Sequence, residues 1–405
     1  MTMKKKGKRI GIIGAGPAGL TAGIIFKQAG YDVKIFDKAP EIVALGGGII
    51  LSAPVLIMLR EIGIKIDDIY AAGDSEFRRA DGRLRVHMSL KPELQKKTGT
   101  KGWQAGMMRS NLYQRFLDKV KPMNILVPNH EFVSYIDNDD SVTLNFVGQE
   151  SEEVDFLLGA DGIHSRVRRQ LWGAEENKKL RIVVYLAWSE PLTFKPEKLG
   201  IYHDKHYQTG WAPCIHQGRR VVEWWHVQRH EEGEMPMKNP LPIIAKRVNS
   251  WAKPIPEIVN ATKPENIFPW IPEGLRPLKK WSKGRITIAG DAAHPTSPYS
   301  AYGAGMAIED SYYLANYLIK ADLTNNNEIS EALDIYEKLR IDYTNEFVEM
   351  AKKMGYVFHT SSAIGRTIRD FLIDHTPLFR IMFKKAYMGE VQSQLKALFD
   401  TLENK

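Results

Sequence analysis

Three glycines near the start of the chain are spaced as a phosphate-binding turn requires. Gly14, Gly16 and Gly19 lie between a β-branched run at 9–13 and a segment at 18–28 whose apolar residues have helical spacing. Gly14 permits a tight turn, Gly16 lets the backbone approach a pyrophosphate, and Gly19 lets the helix pack closely against the strand. Free N–H groups at the helix N-terminus favour an anion there. The pattern predicts a strand–turn–helix unit that binds a dinucleotide.

An acidic residue follows where such a unit holds a ribose. A second strand is predicted over 31–36, and Asp37 at its end lies 23 residues after Gly14. A carboxylate at this place can accept hydrogen bonds from the two ribose hydroxyls of an adenosine. The alternative is a structural turn with Asp37 at the surface.

Two later motifs share one form, a buried strand that leads into glycine and aspartate. One strand is predicted over 154–158 and leads into Asp161, and the other over 285–289 leads into Asp291. An acceptor-only carboxylate at a strand end pairs well with a diol. Both motifs therefore belong among the candidate cofactor contacts.

Composition excludes several other classes of protein. The chain has 405 residues, 43% hydrophobic and 26% charged, which is ordinary for an enzyme of roughly two domains. Its formal net charge is +8, but five cations lie in the first nine residues, so we predict a solvated tail and no nucleic-acid partner. Cys214, the single cysteine, excludes an intramolecular disulfide, and we predict no metal site. Without a signal peptide or a run of ~18 apolar residues, we predict a cytoplasmic protein with no membrane insertion.

The order of the elements predicts an α/β fold with a discontinuous Rossmann-like cofactor domain. Between 180 and 268 aromatic and polar residues alternate, which is typical of an inserted, mainly antiparallel sheet that binds substrate. The last part of the chain is predicted to be helical. The predicted boundaries are 1–75, 100–178 and 276–345 for the cofactor domain, 76–99 and 179–275 for the substrate domain, and 346–405 for the C-terminal helical segment.

One stretch of the C-terminal segment has two interpretations. Residues 368–382 mix phenylalanine, leucine and isoleucine with arginine. Such a mixture is found in helices that lie on a membrane surface and in helices that pack on a domain. We predict that this stretch packs on the back of the cofactor domain.

Taken together, the motifs resemble those of the single-component FAD-dependent aromatic hydroxylases, the group A flavoprotein monooxygenases of p-hydroxybenzoate, salicylate and hydroxynicotinate. The resemblance rests on the first glycine turn with Asp37, on the motif at 158–166 and on the motif at 288–295. It implies FAD as cofactor, NADH or NADPH as transient co-substrate, and O₂ and a small aromatic molecule as reactants. In that family a flavin C4a-hydroperoxide delivers one oxygen atom to the ring. The resemblance is compatible with a monomer or a homodimer.

The resemblance also implies roles for individual residues. Asp291 matches the residue that binds the ribityl hydroxyls of FAD, and Arg109 matches an arginine that reaches its phosphate and ribityl region. Pro298 matches the proline at the flavin edge, and His294 is a weaker candidate for a proton relay. The cofactor-binding residues that we predict are Gly14, Gly16, Ala18, Gly19, Asp37, Lys38, Gly48, Arg109, Asp161, Arg166, Asp291, Gly303, Ala304 and Gly305.

Two features depart from the family pattern. Residues 302–305 read Tyr-Gly-Ala-Gly where many members have Gln-Gly-x-Asn, and residues 41–45 lack the arginine of many salicylate-type members. Three glycines at 46–48 follow, which predicts a backbone that passes close to a flat ligand or that moves. A flexible loop is the alternative for this glycine run.

The substrate is the least determined part of the prediction. Rings on the antiparallel sheet could stack on a planar substrate, although each could instead be ordinary sheet packing. A tailoring or inactivating monooxygenase of a polycyclic natural product or antibiotic stays open, as does a flavin-binding oxidase or reductase without hydroxylase activity. The candidate substrate residues are Tyr207, Trp211, His216, Trp224 and His226.

Overall fold

The computed structural model describes residues 8–43, 47–100, 102–173, 178–190 and 197–403. Gly46 of the glycine run and the lysines at 4–6 of the cationic tail lie outside these residues. No described helix is long and apolar enough to cross a bilayer. The described side chains include no group of three or more His, Cys, Asp or Glu residues that could hold a metal ion.

All the strands of the described residues lie before residue 290. They are β1 (Arg9–Ile13), β2 (Asp32–Phe36), β3 (Gly48–Ser52), β4 (Tyr70–Gly73), β5 (Ser75–Arg79), β6 (Leu84–Met88), β7 (Gln104–Met108), β8 (Leu126–Val127), β9 (Phe132–Asp137), β10 (Val142–Phe146), β11 (Glu152–Val154), β12 (Phe156–Gly159), β13 (Lys178–Lys179), β14 (Ile182–Ser189), β15 (Leu199–His203), β16 (Gln208–His216), β17 (Arg219–Arg229), β18 (Ile267–Trp270), β19 (Glu273–Gly274) and β20 (Ile286–Ile288).

The longest helices follow the last strand. The α-helices are α1 (Pro17–Gln28), α2 (Ala53–Glu61), α3 (Pro92–Thr98), α4 (Arg109–Val120), α5 (Arg166–Trp172), α6 (Pro240–Val248), α7 (Ile255–Asn260), α8 (Gly303–Leu318), α9 (Asn326–Phe358), α10 (Ala363–His375), α11 (Leu378–Lys384) and α12 (Glu390–Glu403).

A five-stranded parallel sheet has the order β20-β12-β1-β2-β8. On one face Ile12 of β1 contacts α1, which packs against α8. On the other face Leu144 and Val154 of the small antiparallel sheet contact Gly11. Both faces are therefore covered, which explains the apolar runs that this sequence shows in its parallel strands. The carboxyl ends of β1, β12 and β20 meet at one edge.

A larger sheet has the order β18-β14-β17-β16-β15-β5-β6, and β3, β4 and β7 join it next to β16. All its described pairings are antiparallel except that of β15 with β5. Because side chains alternate along a strand, this sheet has two distinct faces. One face packs against α6 and α7, and the other faces the parallel sheet.

The predicted α/β class, with a discontinuous cofactor domain, an inserted antiparallel sheet and C-terminal helices, is confirmed by this architecture. β3, β4 and β7 lie in segments predicted for the cofactor domain, yet they pair with one another and with the large sheet. Gly106 of β7 permits this, because a Cβ there would lie 2.4 Å from the carbonyl oxygen of Pro213.

The prediction that residues 368–382 pack on the cofactor domain is wrong. α10 and α11 pack instead on the large sheet, where Asp374 accepts a hydrogen bond from Arg85 at 2.7 Å and Phe383 contacts Phe77. Their outer faces are open to solvent, and Phe371 and Ile381 are each 60% exposed.

Candidate functional site

A cavity of about 720 Å³ lies between the carboxyl edge of the parallel sheet and one face of the large sheet. Gly16, Ala160 and Asp291, which follow β1, β12 and β20, line one end, together with the start of α8. We name this the glycine end. Trp225 of the large sheet and Tyr387 of the C-terminal segment line the opposite part, which we name the sheet end.

The predicted glycine turn lies at the glycine end, and each of its three glycines has a different structural role. Gly14 has a φ of +103°, and a Cβ there would lie 2.3 Å from the carbonyl oxygen of Ala160. A Cβ on Gly19 would lie 2.0 Å from the carbonyl oxygen of Gly14, so α1 needs glycine to approach β1. A Cβ on Gly16 would meet nothing within 4 Å. Gly16 therefore leaves its backbone open to the cavity, where a ligand could contact it.

Two helix N-termini border this same end. α1 begins after Gly16 and α8 after Tyr302, and neither has a side-chain cap. Ala18, Gly303 and Ala304 from their first turns line the cavity, whereas Gly305 lies behind them against the ring of Tyr302. Uncapped N–H groups and the helix dipole stabilise negative charge. The glycine end thus suits an anionic ligand with two negative regions.

Asp37 lies beside the turn at the end of β2. Its carboxylate accepts hydrogen bonds from the N–H groups of Ala15 at 2.8 Å and Ala39 at 2.9 Å. These bonds hold the carboxylate at the turn, although Asp37 does not itself line the cavity. Lys38 next to it is exposed and points to no described partner in the cavity.

Asp291 and Arg109 face the cavity together. The Asp291 side chain is open to the cavity. Desolvation by the surrounding protein raises the pKa of its carboxyl, whereas the charges of His294 and Arg109 lower that pKa. Arg109 begins α4, and its N–H donates to the carbonyl oxygen of Gly47 at 2.8 Å. The pair offers an acceptor for hydroxyls and a cation for phosphate oxygens.

Asp161 and Arg166 have structural partners outside the cavity. The Asp161 carboxylate accepts from the Ser165 hydroxyl at 2.5 Å and from the Arg166 N–H at 2.7 Å, so it caps α5. The Arg166 guanidinium donates to Glu131 at 2.5 Å and to the carbonyl oxygen of Phe132. Neither side chain lines the cavity, because the first satisfies a helix N-terminus and the second ties α5 to β9.

A buried ionic cluster lies behind α8. Arg340 of α9 donates to Glu309 and to Asp310, each at 2.8 Å, and all three side chains are fully buried. Burial favours the neutral acid, yet the charges of His294 and Arg340 hold the pKa of Asp310 below its usual value. Burial raises the pKa of Glu309, and Arg340 opposes that rise. We name these three residues with His294 the α8 ionic cluster.

The cluster reaches the cavity through Tyr302. The Tyr302 hydroxyl donates to Glu309 and shares a hydrogen bond with Ser52 Oγ at 2.6 Å. His294 is 2% exposed and pairs with Asp310 at 2.5 Å, so it does not line the cavity as a proton relay would. Pro298 does line the cavity, within a short 3₁₀ turn before α8.

The sheet end is mostly apolar and aromatic. Side chains at alternate positions on six paired strands share this face. Those that line the cavity are Ser75, Phe77, Met88, Val184, Leu186, Leu199, Ile201, Gln208, Glu223, Trp225 and Val227.

Glu223 is the ionisable residue among the strand side chains just listed. Its carboxyl lies against Gly48, whose N–H donates to it, and a Cβ on Gly48 would lie 1.9 Å from Glu223 Oε2. Burial raises the pKa of Glu223 to about 8. No described residue forms an ion pair with it. Glu223 therefore holds its proton near neutral pH in a wall of apolar side chains.

The five predicted substrate residues do not line this cavity. Tyr207, Trp211 and Trp224 pack with α6 and α7 on the other face of the large sheet, and His226 shares a hydrogen bond with Thr209 there. His216 lies beyond the end of the cavity, beside Trp188. The reason is strand alternation: in the pair Trp224-Trp225 adjacent rings point to opposite faces, and the choice of face was wrong.

Sequence reasoning missed Glu223 and Trp225 for the same reason. The available signal was a single acid inside the apolar and aromatic run 221–227, because glutamate is almost never fully buried unless it has a partner. The glycine run predicted that the backbone passes close to a flat ligand or moves; the close approach that the structure shows at Gly48 is to the Glu223 carboxyl.

Comparison with known proteins agrees with this geometry. A family model described as "FAD binding domain" matches residues 8–351. The aurachin C monooxygenase/isomerase of Stigmatella aurantiaca is 25% identical over 91% of this chain and 94% of its own length. The 6-hydroxynicotinate 3-monooxygenase of Bordetella bronchiseptica is 28% identical over 82% and 88% of the two chains.

Solved structures show the same fold. Klebsiella pneumoniae HpxO, complexed with FAD and uric acid, superposes with a TM-score of 0.81 at 21% identity and covers 98% of this chain and 99% of its own. A salicylate hydroxylase–substrate complex superposes with a TM-score of 0.72 at 18% identity, over 96% and 98% of the two chains. The chain therefore belongs to the FAD-binding-domain family of flavoprotein monooxygenases, and its predicted likeness to the aromatic hydroxylases is confirmed.

Proposed function

We propose that this protein is an NAD(P)H-dependent FAD monooxygenase that hydroxylates a small aromatic or heteroaromatic molecule with O₂. The observation that carries the proposal is one cavity whose two ends differ in their chemistry. Helix N-termini, Asp291 and Arg109 surround the glycine end, while rings and aliphatic side chains surround the sheet end. A polar cofactor and a planar apolar substrate fit such a division.

The glycine end supports FAD binding by several contacts at once. We assign the pyrophosphate to the turn of Gly14, Gly16 and Gly19 and the N-terminus of α1, with Asp37 for the adenosine ribose. We assign the ribityl hydroxyls to Asp291. We also retain Ala18, Gly48, Arg109, Gly303, Ala304 and Gly305 in the proposed site, and we assign no FAD contact to the side chains of Lys38, Asp161 and Arg166.

Bound flavin would supply the two-electron chemistry that links NAD(P)H oxidation to O₂ activation, and the protein supplies orientation and a water-poor cavity. The N–H groups at the start of α8 would stabilise negative charge on a bound, reduced flavin ring. Tyr302 and the α8 ionic cluster hold that helix start in place. Pro298, just before α8, adds a lining residue that has no backbone N–H donor.

Glu223 supports a proposal about the substrate. Among the described lining residues Arg109 is the only cation, and it lies at the glycine end. The sheet end thus offers no described arginine, lysine or histidine to a carboxylate, whereas Glu223 offers a carboxyl that exchanges a proton near pH 8. We propose a substrate without an acidic substituent, whose ring N–H or O–H donates to Glu223. This differs from the acidic substrates named for several relatives.

The test is an absorbance spectrum of the purified protein, followed by a screen of NADH and NADPH consumption with paired ring compounds. Each pair contains a neutral N–H or O–H heteroaromatic and its carboxylate analogue. We expect a flavin spectrum, faster NAD(P)H oxidation with the neutral member, and an oxygenated product by mass spectrometry. A colourless protein that takes up no FAD would contradict the cofactor assignment. Steady NAD(P)H oxidation without oxygenated product would instead indicate an oxidase or reductase.

We also propose that the protein is cytoplasmic and is a monomer or a homodimer.

A further inference from the structure

We propose that the outer face of α10 and α11 is a docking surface for a membrane that contains anionic lipids. Seven large apolar side chains on these two helices are exposed by 41% to 74%, although such residues are ordinarily buried. They are Ile364, Ile368, Phe371, Leu372, Leu378, Ile381 and Met382. We name this set the outer apolar face.

The spacing of these residues makes a continuous stripe on each helix. In α10 the exposed residues fall at intervals of four, three and one, which is one side of a helix, while Arg369 and Ile373 on the opposite side are buried. In α11 the exposed residues Leu378 and Ile381 lie opposite the buried Phe383. α10 and α11 are also in contact with each other.

The inner side of both helices is fixed, so the orientation of the outer face is fixed with it. Asp374 pairs with Arg85 at 2.7 Å and with Arg79 at 3.1 Å, and both Asp374 and Arg85 are buried. Phe379 and Phe383 contact Phe77 of the large sheet, with ring centroids 5.2 Å and 5.5 Å apart. The apolar residues that this packing leaves outside cannot turn inward without breaking these contacts.

Charge decides which partner fits this face. Between residues 350 and 389 the sequence has seven Lys or Arg residues and two acids, Asp370 and Asp374. Both acids are neutralised by arginines of the fold. The exposed charges on α11 and directly after it are cations, contributed by Arg380, Lys384 and Lys385. Apolar side chains flanked by cations are the arrangement that binds an interface of anionic lipid.

One of these two helices, α11, also lines the cavity. Phe358 of α9, Phe383 of α11 and Tyr387 beyond it contribute to its sheet end. The docking surface and the proposed substrate chamber thus share one helical wall. A membrane at this surface would bring a lipid-dissolved ring compound next to the chamber, which suits a cavity whose sheet end is apolar.

The experiment is flotation of the purified full-length flavoprotein with two sets of vesicles. One set is pure phosphatidylcholine, and the other contains one fifth phosphatidylglycerol. We expect binding to the anionic set that weakens as salt is raised. The triple variant Arg380→Gln/Lys384→Gln/Lys385→Gln should bind roughly a hundredfold more weakly, because each cation near an anionic surface contributes about fivefold. The triple variant Ile368→Ser/Phe371→Ser/Ile381→Ser should lose at least about tenfold.

A matched control is Ile136→Ser, which removes an apolar side chain that is 55% exposed on β9, far along the chain from the proposed surface. It should bind vesicles like the wild type. FAD content and thermal unfolding of every variant verify that the fold is intact, and they do not depend on the membrane. Absence of vesicle binding by the wild type overturns the proposal. So does a dimer in sedimentation equilibrium that Phe371→Ser dissociates, since the face would then be a contact between two copies.

Discussion

The cavity has buried carboxyl groups at both ends, and their surroundings differ in kind. Behind the glycine end, Glu309 and Asp310 share Arg340, and Asp310 also pairs with His294. At the sheet end, Glu223 has the backbone N–H of Gly48 and no described ion pair. The first arrangement fixes charges in place, and the second leaves a proton exchangeable.

This difference teaches which buried acid is structural and which is available for a ligand. Isolated buried charge is costly, so a buried acid is either paired or neutral at ordinary pH. The acids of the α8 ionic cluster are paired and hold the start of α8, whereas Glu223 is neutral. A pair-free acid that faces a cavity is the better candidate for substrate recognition.

The strongest way to break the comparison is to remove the shared cation. Arg340→Met leaves Glu309 and Asp310 fully buried without their partner, and we expect a loss of about 3–5 kcal/mol in the free energy of unfolding. Urea unfolding followed by tryptophan fluorescence measures it. Arg115→Met is the matched control, because its pair with Asp68 is largely exposed and should contribute less than about 1 kcal/mol. Equal effects of the two variants would contradict a structural role for the cluster.

The pH dependence of stability tests whether Glu223 is neutral in the folded protein. Because the pKa of Glu223 is about 8 in the fold and about 4.3 in an unfolded chain, the folded protein keeps a proton that the unfolded chain releases between these values. Stability of the wild type should therefore fall as pH rises from about 5 to 8. Glu223→Gln removes this term, so its stability relative to the wild type should rise by on the order of 3 kcal/mol across that window.

Urea midpoints at pH 5, 6.5 and 8 for both proteins test this expectation. Burial, with the nearby Glu223 charge, raises the pKa of the Cys214 thiol on β16, so Cys214 stays neutral at these pH values. The exposed Glu232→Gln serves as control and should follow the wild type at every pH. A difference between Glu223→Gln and wild type that does not change with pH would show that Glu223 has an ordinary pKa.

The glycine end gives a third test, on FAD affinity. Asp291→Ala removes a carboxylate that is open to the cavity, and we expect FAD affinity to fall by about 3 kcal/mol, with loss of flavin during gel filtration. Asp37→Ala should cost roughly 1–2 kcal/mol, because backbone groups of the turn remain. Titration of the apoprotein with FAD measures both. Glu153→Ala, at an exposed side chain far from the cavity, is the control, and unchanged FAD affinity in Asp291→Ala would remove that residue from the proposed site.

The sequence was informative where one backbone conformation is required. Gly14 and Gly19 are needed for close contacts in the main chain, so their spacing predicted the turn, and Asp291 followed from its place after a buried strand. The large sheet was predicted as a sheet. Which of its faces lines the cavity was not predicted, because aromatic residues occupy both faces. Trp224 and Trp225 carry the same chemistry in adjacent positions, and composition does not distinguish them.

Contacts between distant segments could not be predicted from local patterns. Which side of α10 is exposed depends on the hydrogen bonds of Asp374 with Arg79 and Arg85, about 290 residues earlier in the chain. The partner of Glu223 is the backbone of Gly48, about 175 residues away. Such partners are set by tertiary packing, for which a single sequence has no periodic signal.

The last prediction tests the two faces of the large sheet with the smallest change. Trp225 lines the cavity, whereas Trp224 is fully buried on the other face and donates to Thr262 Oγ1 at 2.8 Å. Trp225→Phe should raise the substrate concentration for half-maximal NAD(P)H consumption by about twofold to tenfold, as a ring contact contributes roughly 0.5–1.5 kcal/mol, and should leave stability nearly unchanged. Trp224→Phe should lower the urea midpoint and leave that concentration unchanged, because its indole N–H holds Thr262, just after α7, to the sheet. The reverse pattern would place the substrate on the α6–α7 side and return Trp224 to the site.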